Sequence, residues 1–217
     1  MIKTLVLQPM NPNYPESLKD LARSLLDRLP EIDGPLELEI VNDETEIAVP
    51  EHNSMYLRHA MVRNYMLDTH LRPEHELVVW IDADLCSYPV DVCSQLYLTN
   101  PSGLAAPIVT IDRHIDKFFD IAGYIQDHGM RVDNNEPWFR NAANSQGQRQ
   151  MESVGTLYTV PAKLYHDGVR YAPPYIDYYV EHLSVCKEAR KRGYSIICTE
   201  KVHAIHCWLP DYGMVIH

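Results

Sequence analysis

Strand-sized apolar runs alternate with segments of helical periodicity along this chain. The alternation starts with an apolar run at 2–7, after which leucines recur every three or four residues, as on one face of a helix. The same pattern predicts further strands at 36–41, 77–81, 104–109, 154–160 and 194–198, and further helices at 55–69, 89–98 and 178–192. Strands that alternate with helices are typical of parallel sheets with helical crossovers, so the pattern predicts an α/β domain.

One segment, 126–150, interrupts this alternation. It is rich in Asn, Gln and Arg, poor in aliphatic residues, and contains the aromatic pair Trp138-Phe139. Long segments of this kind in compact domains are usually functional lids or disordered. We therefore expect a mobile loop at 126–150, in which Trp138 either closes over a bound ligand or simply anchors the loop.

Composition narrows the class of protein. The 217 residues include 19 Lys+Arg and 30 Asp+Glu, a formal net charge of −11. With 46% hydrophobic residues the chain can bury a core, and the charge disfavours a protein that wraps a long polyanion. The apolar runs are much shorter than the roughly 20 residues of a membrane helix, and no signal peptide or disulfide framework is indicated. We expect a cytoplasmic protein without a transmembrane anchor.

The main candidate for chemistry is the motif Asp82-Ala83-Asp84, which directly follows the apolar strand at 77–81. Alternate residues of an extended chain point to the same side, and ligands of open α/β sheets bind beyond the carboxyl ends of the strands. Two carboxylates there suit a hard cation such as Mn²⁺ or Mg²⁺ that bridges to a diphosphate. The chain has no P-loop and no Gly-x-Gly, so we expect a metal to hold the phosphates.

These residues alone leave three functions open. An Asp pair after a strand fits a metal-dependent glycosyltransferase, and it also fits a nucleotidyltransferase or phosphatase. A non-catalytic module that binds a nucleotide or a carbohydrate is the third alternative. The segment His203-Ala204-Ile205-His206-Cys207 could offer one or more imidazoles as a further metal ligand, and its ligand types also allow a zinc site from His203, His206 and Cys207.

Several short motifs follow one another in a specific order. They are Arg63-Asn64, Trp80-Ile81-Asp82-Ala83-Asp84 with Tyr88-Pro89, Phe119-Asp120, Val154-Gly155-Thr156, Gly168-Val169-Arg170-Tyr171-Ala172-Pro173-Pro174, Glu181-His182, Arg192-Gly193-Tyr194 and His206. In this order the chain resembles the GT-A nucleotide-sugar glycosyltransferases and is most similar to the fungal Golgi mannan mannosyltransferases. The resemblance implies a single Rossmann-like GT-A domain over 1–217 with a mostly parallel central sheet flanked by helices. Its nucleotide-binding half, 1–100, ends in the Asp-x-Asp motif, and the acceptor half covers 101–217.

The resemblance also implies an activity and its cofactor. It implies a Mn²⁺-dependent (or Mg²⁺-dependent) transferase that uses a UDP- or GDP-sugar and retains the anomeric configuration. The implied metal ligands are Asp82, Asp84 and His206. The implied donor-binding residues are Asn42, Asp43, Arg63, Asn64, Asp82 and Gly155. The implied catalytic residues are Asp120, which would stabilise developing positive charge, Glu181, which would position the acceptor hydroxyl, and His182 at the pocket rim.

The sequence departs from this family in ways that bear on the acceptor. Family members carry a membrane anchor and a lumenal stem, neither of which we expect here. At Glu181 the family usually reads Glu-Thr-Glu-Gly, whereas this chain reads Glu181-His182-Leu183-Ser184. The acceptor stays open between a glycan, a small molecule and a hydroxylated nucleobase of phage-type DNA. The DNA alternative rests on a concentration of basic residues in an acidic chain: Arg113, His114, Lys117, Arg131, Arg140 and Arg149.

Overall fold

A computed structural model describes residues 1–31, 34–44, 47, 55–112, 114–118, 125–126, 144–172 and 181–207. The strands within these residues are β1 (Ile2–Pro9), β2 (Leu36–Asp43), β3 (Leu77–Ile81), β4 (Leu85–Ser87), β5 (Leu104–Ile111), β6 (His114–Phe118), β7 (Ile125–Gln126), β8 (Gln148–Ser153), β9 (Leu157–Pro161) and β10 (Ile196–His206). The helices are α1 (Glu16–Asp27), α2 (Met55–His70), α3 (Val92–Thr99), α4 (Ala162–His166) and α5 (His182–Lys191), with a short 3-10 turn at Leu29–Glu31. None of the helices described is both long and apolar enough to cross a membrane.

The strands form one mixed sheet in the order β2-β1-β3-β9-β5-β10-β8-β7, with β4 paired to β10 and β6 paired to β5. β1 runs parallel to β2 and β3, and β5 runs parallel to β10. The other described pairs are antiparallel, so the sheet is less parallel than predicted. The main cause is β9, which lies between β3 and β5 and runs against both. The hydrophobic pattern of a buried strand does not encode its direction.

Helices cover both faces of the sheet, which explains the continuous apolar runs of the central strands. All residues of β3 and β5 are buried. On β3, Val78 and Trp80 point to the face covered by α2, α4 and α5, while the alternate residues point to the face covered by α1 and α3. The chain therefore forms three layers, with the sheet in the middle.

The segment predicted as a loop at 126–150 ends in a strand. Residues 148–150 belong to β8, which pairs antiparallel with β10. Local periodicity missed β8 because its sequence, Gln148 to Ser153, is largely polar, as is common for strands near a sheet margin. Residues 127–143, including Trp138, lie outside the described part of the chain, so the lid stays a prediction.

The last strand, β10, begins at Ile196 and runs past the predicted end at residue 198 to His206. The apolar pattern stops early because the strand contains an irregularity. Thr199 pairs with Pro107 and His203 pairs with Ile108, so residues 200–202 have no partners on β5. Two of these three residues, Glu200 and Lys201, are exposed, which ends the apolar pattern early. Beyond this bulge, β10 continues to His206 at the edge of the sheet where β3 also ends.

Candidate functional site

The Asp82-Ala83-Asp84 motif lies at the carboxyl edge of the sheet, where it forms a turn. The N–H of Asp82 donates to the carbonyl of Thr156 at 2.9 Å, and the N–H of Leu85 donates to the carbonyl of Asp82 at 3.4 Å. The sequence pattern predicted an extended motif, and this prediction is wrong, because the chain turns at Asp82-Ala83-Asp84. The turn directs the chain into β4, which pairs with β10 and places Leu85 opposite His206. This return brings Asp84 to His206 although β3 and β10 are not neighbours in the sheet.

Thr156 has a left-handed backbone, with φ 61°. This conformation is unfavourable for a β-branched residue and is found mainly where the surrounding structure enforces it. The carbonyl of its neighbour Gly155 accepts a hydrogen bond from the N–H of Leu157 at 2.7 Å. Thr156 thus contacts the Asp82 turn through its backbone carbonyl, and Gly155 is its neighbour in the chain.

Asp84 and His206 form the most clearly defined pair of the site. His206 Nε2 lies 3.0 Å from Asp84 Oδ1. The other ring nitrogen, Nδ1, lies 2.8 Å from the carbonyl oxygen of Cys207 and donates to it, so Nε2 is the atom turned toward Asp84. The N–H of Cys207 in turn donates to the carbonyl of Asp84 at 2.8 Å. Backbone and side chains therefore both hold this pair together.

The electrostatics of the pair favour an ionised carboxylate. Burial alone would raise the pKa of Asp84, but the charge and hydrogen bond of His206, together with a hydrogen bond from Tyr14, lower this pKa to about 2. Burial opposes the charged imidazole of His206, yet Asp84 holds its pKa above the usual value. Asp84 is thus available as an anionic oxygen ligand at any pH near neutrality.

The residues present fit a divalent cation whose coordination is completed by water or substrate oxygens. Neighbouring ligands of an octahedral ion with bonds of about 2.1 Å lie about 3 Å apart, as His206 Nε2 and Asp84 Oδ1 do. An imidazole whose Nδ1–H is bonded to a carbonyl is the usual form of a metal-binding histidine. Within the described residues no group of three or more His, Cys, Asp and Glu side chains is arranged for a metal.

Asp82, the other predicted ligand, faces a different partner. Arg63 of α2 donates from Nη2 to Asp82 Oδ1 at 2.7 Å and from Nε to Glu181 Oε1 at 3.0 Å. The guanidinium is buried and stacks on Trp80, with its central carbon 4.8 Å from the ring centroid. Burial and the nearby charge of Asp84 raise the pKa of Asp82, while Arg63 lowers it, and the net direction is upward. Arg63 thereby joins the Asp-x-Asp turn to the start of α5.

Glu181 lies just before α5 and is almost fully buried. Burial alone would raise its pKa, but the interaction with His182 and the charges of Arg63 and His59 outweigh burial and hold the pKa far below its ordinary value. His182 Nδ1 lies 3.7 Å from Glu181 Oε1, and His59 Nδ1 lies 3.9 Å from Oε2. The predicted catalytic residues Glu181 and His182 therefore lie in contact, and the surroundings of Glu181 favour its ionised form.

Asn64, predicted to contact the donor, holds the backbone of Tyr171. Its amide donates to the carbonyl of Tyr171 and accepts from the N–H of the same residue, both at 2.8 Å. The Tyr171 hydroxyl in turn contacts the hydroxyls of Tyr158 and Tyr165, each at 2.7 Å. Two of these buried tyrosines, Tyr158 and Tyr171, lie beneath the Arg63 guanidinium, so Asn64 helps to position the rings that Arg63 packs on.

The remaining predicted residues lie farther along the same edge or outside the described chain. Asn42 and Asp43 are the last residues of β2, where Asn42 donates to Gln8 Oε1 at 2.6 Å and Asp43 Oδ2 lies 3.4 Å from His70 Nε2. Both belong to the strand, which extends past its predicted end. Asp120 lies outside the described residues.

Sequence reasoning missed Tyr14, whose hydroxyl donates to Asp84 Oδ2 at 2.9 Å. Tyr14 belongs to the turn between β1 and α1. The predicted parallel sheet could have pointed to Tyr14. Because β1 is parallel to β3, the turn that follows β1 lies at the same edge of the sheet as the Asp-x-Asp motif.

Comparison with known proteins identifies the fold. No protein-family model and no curated protein matches this chain. Among solved structures, GalNAc-T7 with UDP, GalNAc and Mn²⁺ aligns with a TM-score of 0.57 and 10% identity over 95% of this chain and 43% of that chain. A glycosyltransferase involved in glycosylation of the major capsid of PBCV-1 aligns with a TM-score of 0.50 and 12% identity over 92% and 83% of the respective chains.

These likenesses confirm the predicted α/β fold of the GT-A glycosyltransferases. At such low identity they concern the fold alone. This chain spans 43% of the GalNAc-T7 chain. The more specific similarity to mannan mannosyltransferases stays a prediction.

Proposed function

We propose that this chain is a metal-dependent glycosyltransferase that moves a sugar from a nucleoside diphosphate sugar to an acceptor hydroxyl. The observation that carries the proposal is the contact of Asp84 with His206 at the carboxyl edge of a GT-A sheet. The fold supports it, because the aligned structure of GalNAc-T7 is described with UDP, GalNAc and Mn²⁺. The capsid-related neighbour is described as a glycosyltransferase as well.

Asp84 and His206 would hold Mn²⁺ or Mg²⁺, with Asp82 as a third candidate ligand. A bound cation would neutralise the negative charge that develops on the leaving diphosphate. The protein prepares for this role by keeping Asp84 ionised and by fixing the imidazole of His206 through the carbonyl of Cys207. No Gly-rich phosphate loop is present in the sequence to take over the task.

For the donor, we propose UDP- or GDP-linked sugars, with the nucleotide lying along the carboxyl ends of β1, β2 and β3. Asn42 and Asp43 end β2 at this edge, and the backbone of Gly155 lies beside the Asp82 turn. Arg63 and Asn64 are engaged with Asp82, Glu181 and the Tyr171 backbone. We assign these two residues to positioning the site, in place of the direct donor contacts that the resemblance implied.

Glu181 would position the acceptor hydroxyl by accepting its hydrogen bond. A carboxylate whose pKa is held far below its ordinary value is a poor base, so Glu181 would not remove the proton. In the proposed reaction the acceptor oxygen bonds to the anomeric carbon, the bond to the diphosphate breaks, and the acceptor proton moves to the departing diphosphate oxygen. Attack and departure on one face of the sugar retain its configuration. His182, which the structure buries instead of placing at a pocket rim, and Asp120 complete the proposed catalytic set.

The acceptor class is a glycan, a small molecule or a hydroxylated nucleobase of DNA. Direct measurement separates these classes: the protein is incubated with UDP- and GDP-sugars and each acceptor class, with Mn²⁺ or with EDTA. We expect release of UDP or GDP and a gain of one sugar mass on one acceptor, with loss of both in EDTA and in Asp84→Ala. Release of inorganic phosphate would indicate a phosphatase, and release of diphosphate a nucleotidyltransferase. Nucleotide binding without turnover would indicate a binding module.

A further inference from the structure

The turn between β1 and α1 is docked onto the Asp-x-Asp motif. Tyr14 lies in this turn, and its ring packs with Met10, Ala22 and Ala83, the residue between the two motif aspartates. Two bonds to Asn11 stiffen the turn: the N–H of Tyr14 donates to the Asn11 carbonyl at 3.0 Å, and the N–H of Asn13 donates to Asn11 Oδ1 at 3.0 Å. The Tyr14 side chain thus approaches Asp84 from a rigid support.

The two oxygens of the Asp84 carboxylate have different tasks. Oδ2 accepts the hydroxyl of Tyr14 at 2.9 Å, while Oδ1 lies 3.0 Å from Nε2 of His206. The terminal torsion of an aspartate is broad, so a carboxylate without a partner on its second oxygen samples many orientations. The bond from Tyr14 removes this freedom and leaves Oδ1 beside the imidazole.

We propose that Tyr14 is a positioning residue of the divalent-metal site, whose hydroxyl holds the Asp84 carboxylate so that Oδ1 and His206 Nε2 face the same ion. This inference rests on the proposed function, because it concerns the same site. It adds an element that the Asp-x-Asp motif does not contain: the turn after the first strand. Tyr14 itself contacts no substrate in this scheme and acts only through Asp84.

The expected effect is a loss of metal affinity. Removing a hydrogen-bond partner of a metal ligand typically weakens metal binding by about 10- to 100-fold. Tyr14→Phe removes only the hydroxyl and keeps the ring against Met10, Ala22 and Ala83, so we expect the fold to persist and the Kd for Mn²⁺ to rise about tenfold.

The test is a titration of the protein with Mn²⁺, in which the EPR signal of free Mn²⁺ reports binding without any turnover. Wild type is compared with Tyr14→Phe, with Asp84→Asn and with Tyr88→Phe. Tyr88 is a matched control, since its buried hydroxyl makes no hydrogen bond with any described residue. We expect wild-type affinity in Tyr88→Phe, weaker binding in Tyr14→Phe and loss of binding in Asp84→Asn.

Two further readouts separate positioning from general destabilisation. In EDTA, Tyr14→Phe should still unfold in one cooperative transition like wild type, at a temperature lowered only by the loss of its hydrogen bond to Asp84. Sugar transfer by Tyr14→Phe should recover toward the wild-type kcat when Mn²⁺ is saturating, so that the change is confined to the Mn²⁺ concentration required. If Tyr14→Phe binds Mn²⁺ as tightly as wild type while Asp84→Asn does not bind, Tyr14 does not position the metal ligand, and the proposed function stands. If wild type itself binds no Mn²⁺, the proposed metal dependence fails first.

Discussion

Arg63 Nη2 donates a hydrogen bond of 2.7 Å to Asp82 Oδ1, which ties a buried cation to the first carboxylate of the Asp-x-Asp motif. The same guanidinium reaches Glu181, 118 positions later in the chain. Three distant segments therefore meet through one side chain. A charge buried in this way depends on its partners, because the uncompensated ion would be costly to keep away from water.

Replacing Arg63 by methionine should strongly destabilise the protein. Asp82 and Glu181 would lose their shared cation, and breaking a buried ion pair typically costs about 3–5 kcal/mol. Urea unfolding of Arg63→Met measures this loss. Arg190→Met is the control, since its contact with Glu152 is at the surface and should contribute at most about 1 kcal/mol. Equal losses in the two variants would contradict the structural role given to Arg63.

Stability should fall in acid partly because of Glu181. Its pKa in the folded protein lies below the ordinary value of 4.5, so the unfolded chain takes up the proton first as the pH falls. The contribution of Glu181 is complete above that ordinary value and is lost as the pH approaches the lower folded-state pKa. Unfolding free energies between about pH 5 and pH 3 should therefore fall more steeply for wild type than for Glu181→Gln. Parallel curves would show that Glu181 is not held ionised by its surroundings.

His206→Ala should abolish or greatly weaken Mn²⁺ binding, because it removes the imidazole whose Nε2 lies 3.0 Å from Asp84 Oδ1. His203→Ala is the matched control: His203 lies on the same strand, but its ring contacts Thr110 Oγ1 at 2.7 Å, away from the pair. Isothermal titration with MnCl₂ measures both variants. If both variants keep wild-type affinity, His206 is not a metal ligand.

Asn64→Ala distinguishes a structural amide from a donor-binding one. Loss of the two bonds to the Tyr171 backbone should lower the free energy of unfolding by about 1–3 kcal/mol. The affinity for UDP or GDP, measured below the unfolding temperature, should stay near wild type. Unchanged stability together with weakened nucleotide binding would show that Asn64 binds the donor, as the resemblance implied.

The central strands and the candidate motif could be predicted from the sequence. Most side-chain contacts between distant segments of the site could not. The apolar run at 77–81 coincides with β3, because a strand covered on both faces needs apolar residues throughout. The three-residue β4 and the polar β8 carry no comparable pattern. The bond between Arg63 and Glu181 depends on chain segments 118 residues apart, about which local periodicity contains no information.

The Asp-x-Asp motif illustrates the same limit at the scale of single residues. Alternation in an extended chain predicted that Asp82 and Asp84 face one ligand together. The backbone instead turns after β3, so Asp82 meets Arg63 while Asp84 meets Tyr14 and His206. The sequence identified the right carboxylates, but the division of labour between them depends on partners from three other segments.

The bulge in β10 separates the position of His206 from changes in chain length before it. Residues 200–202 are skipped between the pairings of Thr199 and His203 with β5, and regular pairing then carries His206 to Ile111. An insertion beside the exposed Glu200 and Lys201 would enlarge the bulge and leave the pairing of His206 as it is. The same insertion after His203 would displace His206 by one residue, about 3.3 Å, and turn its ring to the opposite face. Tolerance to changes in chain length should therefore drop sharply within three residues of this histidine.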